Sequence, residues 1–183
     1  MKGSFKKAYF GWKSFFVGAS FVAIALFIQY LYFKNFMIFN FTSHFVAGFL
    51  FLVYSAAIVD FKAKVIPDLI TYPLILFGFT GALLDAYFIS MPYDAAIGAM
   101  VGYLLPSMLG FVFEMFGTKN GIGSGDIKFM SGIGAWLGLY GLIYSVIFAC
   151  GLSIVWTLIK RKKQFAFAPF CAGGVLIYLM FLL

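Results

Sequence analysis

Long stretches without a single charged side chain alternate with short ones rich in lysine along this chain. Runs of about 20 apolar residues, the length a helix needs to cross a bilayer, fall near 14–33, 41–59, 70–90, 94–116, 140–159 and 166–183. A shorter run occupies about 127–138. As a helix it would reach only about 18 Å, so it spans part of a bilayer or does so with 139–141 as a continuation or tight turn. The pattern predicts an all-α, polytopic membrane helical bundle of six to seven transmembrane segments, in which the one after Asp126 is short. The chain is read as a single integral membrane domain over 1–183, with an extra N-terminal helix and linker at 1–40 and a core at 41–183.

Composition narrows the class. Hydrophobic residues make up 64% of the 183 and charged residues 10%, with a mean hydropathy of +1.04. A soluble domain carries about 25% charged residues, so bilayer rather than water is the solvent for most of this surface. The first run follows Lys2, Lys6, Lys7 and Lys13, as in a signal peptide, but it is long and lacks a small-x-small cleavage site, so a retained helix is expected. The net charge of +7 does not point to nucleic acid, because the basic residues sit between apolar runs rather than along one stripe.

Charge placement orients the bundle. With the N-terminus in the cytoplasm and the spans alternating, every one of the 13 basic residues except Lys34 falls inside, as the positive-inside rule requires. The cluster Lys160–Lys163 would fall outside if the short run at 127–138 did not cross, so it is expected to cross. That cluster reads as a stop-transfer and anionic-lipid patch. The same map sets Asp60 and Asp126 at the cytoplasmic ends of two different helices, at one depth. Asp68 and Glu114 are cytoplasmic too, and Asp85 and Asp94 lie near the outer face.

Acids at the edge of hydrocarbon are costly and therefore candidates for function. Asp126 follows the alternating glycines Gly121, Gly123 and Gly125, which let a backbone approach another chain closely. The plainer reading is a glycine-rich loop with Asp126 as N-cap of the next helix. Asp60 ends an apolar run, where an acid opposes the helix dipole, so no capping role is evident for it; pairing with Lys64 at helical spacing is the structural alternative. Pro67 ends local regularity, and Asp68 or Thr71 is placed to cap the following helix. Lys128 is expected beside Asp126, where it tunes the carboxylate or anchors the chain at the interface. Gly98 with Gly102, and Gly134 with Gly138, form small-xxx-small pairs suited to close helix contact. His44 is read as a packing or interfacial residue, and Cys150 and Cys171 as buried small hydrophobes.

Three blocks of this sequence resemble the type IV prepilin peptidases, membrane aspartyl proteases of the Gly-x-Gly-Asp class. Asp60 through Pro73 reads D-x5-I-P-D-x2-T-x-P, Gly121 through Gly138 reads GIGSGDIKFMSGIGAWLG, and Ala166 to Gly174 reads AFAPFCAGG, with Ala168 where glycine is commoner. The resemblance implies an endopeptidase that removes the leader peptide of type IV pilin-like or pseudopilin precursors at the cytoplasmic face of the cell membrane. Asp60 and Asp126 would be its catalytic pair, with Gly123, Gly125, Lys128, Pro67 and Asp68 supporting the substrate loop. Longer relatives carry a zinc-binding Cys-x-x-Cys insert and also methylate the new N-terminus. Here only about seven residues join the first two spans and no Cys-x-x-Cys occurs, while a structural zinc needs about four ligands. No metal, no cofactor and no N-methylation are therefore expected, as in the short members that serve tight-adherence pili. A proton-coupled transporter or channel component using the same two acids is the rival class. Transporters place such sites near the midplane and show internal repeats, and neither feature is apparent here.

Overall fold

The computed structural model describes residues 41–84, 90–116, 122–160 and 166–182, all helical apart from short connections. The expected first span and its linker, together with Asp85, Lys119, Gly121, the Arg161–Lys163 part of the basic cluster and the side chain of His44, lie outside what is described. Five helices follow in order: α1 Phe41–Ala63, α2 Asp68–Leu84, α3 Pro92–Met115, α4 Ser124–Lys160 and α5 Ala168–Leu182. Three stretches are long and apolar enough to cross a membrane, Val46–Ala63, Pro92–Met115 and Ser124–Ile159, while α2 and α5 are shorter apolar helices.

Each boundary has a local cause. Lys64 adopts a left-handed conformation (φ 53°) and its N–H closes on the Asp60 carbonyl at 2.7 Å, a turn that ends a helix. α2 begins after Pro67, whose carbonyl accepts the Ile70 and Thr71 N–H groups at 3.0 and 3.3 Å. Pro92 opens α3, a position where its missing N–H costs nothing. α4 is broken at Gly138, where φ is 69° and ψ −173°. The short run and the long one that follow Asp126 in sequence are therefore the two limbs of α4.

Contacts show that the chain turns back at this glycine. In the limb before it, Gly134 lies on Gly98, Gly102 on Met130 and Ser131, and Gly110 near Ile122, so this limb runs antiparallel to α3. It runs parallel to α2, with Gly125 on Ile66, Gly132 on Leu74 and Gly78 on Ala135. The limb after Gly138 pairs antiparallel with α5: Gly174 sits on Ser145, Gly141 on Tyr178, and the Trp156 and Phe170 rings lie 6.1 Å apart. Gly138 itself stands beside Asp94 and Ser90 at the start of α3. The start and finish of α4 are therefore at one end of the bundle and its middle at the other.

Glycines rather than large side chains make these crossings, because a Cβ at Gly98 or Gly134 would collide with the facing backbone. Helices surrounded by lipid gain little from apolar burial and associate through such close approach. A small interior remains, centred on Phe49, Leu74, Phe129, Ile133 and Val175, with Phe49 stacked on Trp136 at 4.8 Å. The Trp136 indole N–H donates to the Leu74 carbonyl at 2.7 Å, and the Ser131 hydroxyl to the Ala99 carbonyl at 3.0 Å. Leu69, Met108, Phe111, Leu158, Met180 and Phe181 point outward, the inside-out distribution of a lipid-solvated protein.

Candidate active site

Asp60 occupies the last turn of α1 and is 5% exposed. At the end of its own helix the C-terminal dipole repels an anion, which the charge of Lys64, just past the helix, offsets in part. Asp60 is instead directed at the first turn of α5: the Ala168 N–H donates to Asp60 Oδ2 at 2.9 Å, 108 residues away in sequence, and the Phe167 N–H is turned toward the same carboxyl group. The reading that left Asp60 without a capping role is overturned here. The acid caps a helix other than its own, where the dipole has the favourable sign.

Asp126 is the third residue of α4. The N-cap position belongs to Gly123, whose carbonyl accepts the Ile127 N–H at 3.1 Å, which corrects the reading of Asp126 as N-cap. The carboxylate folds back over that glycine; a Cβ on Gly123 would stand 3.1 Å from Asp126 Oδ2. Asp126 Oδ1 is buried and accepts no hydrogen bond within the described residues. A buried carboxyl oxygen without a partner is uncommon and marks a place for a proton, a water or a substrate group.

The two acids lie close enough for the charge on Asp60 to be felt at Asp126. Cys171, in the first turn of α5 with Ala168, is fully buried. Cys150, in contrast, is exposed, which corrects the expectation that both cysteines are buried. Gly125 brings the two acid-bearing segments into contact, since it rests against Ile66, the third residue past the end of α1.

Lys128 turns away from Asp126. Its ammonium group bonds Asp68 Oδ1 at 2.6 Å and lies 5.0 Å from the centre of the Tyr72 ring. Asp68, expected to cap α2, therefore joins the beginning of α2 to the beginning of α4, and Pro67 supplies the carbonyl that organises the first turn. Ala168, Phe167, Ile66 and Tyr72 were not singled out as site residues from sequence. The signal for Ala168 was present in Pro169, which follows it and marks a helix start. Among the described residues no group of three or more His, Cys, Asp or Glu could hold a metal ion.

The sequence matches the type IV leader peptidase family over residues 45–158. The chain belongs to this family. Its similarity extends to proteins called prepilin leader peptidase/N-methyltransferase: it is 36% identical over 126 residues to that of Pectobacterium carotovorum subsp. carotovorum, covering 64% of this chain and 44% of the relative. It is 32% identical over 116 residues to that of Xanthomonas campestris pv. campestris, covering 61% and 40%, and 32% identical over 118 residues to that of Neisseria gonorrhoeae, covering 63% and 41%. The match thus spans less than half the length of these relatives. No solved structure shows a significant match to the chain. Both aspartates, Gly123, Gly125 and the Lys128–Asp68 pair fall inside the part that defines family membership; Ala168 lies beyond it.

Proposed function

We propose that this protein is a membrane-embedded aspartyl endopeptidase that removes the leader peptide of type IV pilin-like precursors, with Asp60 and Asp126 as its catalytic pair. The observation that carries the reading is the convergence of two acids from distant segments at one end of the bundle, one of them with a buried oxygen that has no partner among the described residues. Two carboxylates held close share one proton. The ionised member takes a proton from water as the water oxygen attacks the scissile carbonyl carbon, and the protonated member gives its proton to the carbonyl oxygen. Collapse of the tetrahedral species breaks the C–N bond, and the amine leaves with a proton from the pair.

In this reading the limb of α4 before Gly138 crosses the bilayer by itself. With the helix assigned to 1–40 the bundle then has seven spans, and 41–183 forms the peptidase core. The acid-bearing end faces the cytoplasm, as the lysine distribution favours. Gly123 and Gly125 keep the loop thin beside an extended substrate, while Pro67, Asp68 and Lys128 hold the connection that brings the two segments together. The activity is peptidase alone: the joining segment at 34–40 contains no Cys-x-x-Cys, and the new N-terminus is left unmethylated.

The test is cleavage of a panel of pilin-like precursors by the protein in liposomes, with N-terminal sequencing of the product. Asp60→Asn and Asp126→Asn should each lower the rate by roughly 10³-fold or more, since members of a catalytic unit fail together. Near-normal turnover in either folded variant would overturn the assignment. Incubation with a labelled methyl donor and mass spectrometry of the product should show no added methyl group.

A further inference from the structure

The third sequence block, at the start of α5, has no function in the account so far. Its first turn poses a donor problem that only Asp60 answers. A helix begins with main-chain N–H groups that find no partner within it. In α5 the Phe170 and Cys171 N–H groups both bond the Phe167 carbonyl at 3.1 Å, and Pro169 has no N–H. The Ala168 N–H is left, and Ala168 is fully buried, so water cannot serve it. Asp60 Oδ2 does, at 2.9 Å.

The dependence runs both ways. Asp60 is nearly buried, and this bond, together with the Phe167 N–H turned toward the same carboxyl group, limits the rotation of that group. α5 cannot slide along its axis, because Gly174 is pressed onto the Ser145 backbone and Gly141 onto Tyr178. The donor is thus held by helix packing rather than by a loop, which is the arrangement that keeps a reacting group in place.

We infer that the main-chain N–H of Ala168 is a positioning group for Asp60, and that the third block serves turnover rather than substrate capture. This rests on the reading of Asp60 and Asp126 as the catalytic pair. A donor preset against a reacting carboxylate contributes to the rate in proportion to how firmly it is held.

The decisive experiment replaces Ala168 by its α-hydroxy counterpart through nonsense suppression, which converts the amide to an ester, deletes that N–H without changing a side chain, and weakens the Phe167 carbonyl that accepts from Phe170 and Cys171. Leader cleavage is then followed in liposomes. We expect kcat to fall roughly 10- to 100-fold with KM within about twofold, and Ala168→Gly, which keeps the N–H, to stay within about threefold in kcat. If the ester chain does not accumulate in folded form, Ala168→Pro, which puts a ring carbon where the N–H faces Asp60 Oδ2, is read by the same split of kcat against KM. An unchanged kcat in the N–H-deleted chain, or a loss confined to KM, would overturn the inference while leaving the peptidase reading intact. A wild-type protein that leaves every precursor uncut would overturn the reading itself.

Discussion

Gly125 rests on the backbone of Ile66: a Cβ at this position would stand 2.9 Å from the Ile66 carbonyl oxygen and 3.2 Å from its Cβ. This contact joins the segment that follows Asp60 to the turn that carries Asp126, without any side chain between them. Hydrogen supplies the clearance, and any larger substituent has to move a main chain.

Gly125→Ala should therefore destabilise the protein by about 1–3 kcal/mol, the usual cost of overpacking, and lower cleavage by at least roughly tenfold through displacement of one acid from the other. Gly151→Ala is the matched control. Gly151 lies in α4 with nothing within 4 Å of its would-be Cβ, so the change should be neutral or stabilising by up to about 1 kcal/mol. Thermal unfolding in detergent and the precursor assay measure the two effects side by side.

Asp60 should show different tolerances for structure and for chemistry. Asp60→Asn keeps an oxygen for the Ala168 N–H, so its stability should stay within about 1 kcal/mol of wild type. Asp60→Ala leaves that buried N–H without an acceptor and should cost about 1–3 kcal/mol. Both variants should be inactive. Equal stability of the two, measured by denaturant titration in mixed micelles, would show that the 2.9 Å bond contributes nothing to the fold.

The Asp68–Lys128 pair should matter little by comparison. Its side chains are 56% and 24% exposed, and pairs in such surroundings contribute little to stability. A double-mutant cycle with Asp68→Asn and Lys128→Met should give a small coupling that shrinks as salt is raised. Asp68→Asn should retain most of the cleavage activity. Abolished cleavage in a folded Asp68→Asn protein would move Asp68 from support into the reacting set.

Cysteine reporters address topology. Placed at Lys62, Lys119 and Lys162 they should react with an impermeant reagent only from the cytoplasmic side, and one at Tyr93 only from the outside. A reporter at Lys162 labelled from outside would mean that the limb of α4 before Gly138 does not cross.

The helices were readable because charge-free runs and lysine-rich breaks are properties of single segments. Runs expected at 41–59, 94–116 and 166–183 correspond to α1, α3 and α5, displaced by a few residues where Lys64, Pro92 and Ala168 set the ends. The acids stood out for the same reason, as charges where charge is expensive. Side-chain partners were not readable, because they depend on which helix ends meet. Nothing near Asp60 in sequence reveals a donor 108 residues away. Lys128, two positions from Asp126, looks like its neighbour on paper, but residues two apart on a helix point to different sides, and its partner proved to be Asp68.

Gly138 and Gly125 act together as a ruler. The first is held against Asp94 and Ser90 at one end of the limb, the second against Ile66 at the other, and the number of residues between them decides which way Asp126 faces. Adding or removing one residue in this interval would turn the acid by about 100° and shift it by about 1.5 Å, enough to take it out of line with Asp60 even if every side chain in the limb kept its chemical character. The limb is therefore constrained in length more strictly than in composition: apolar residues there can be exchanged for others of similar volume, but the count has to stay fixed.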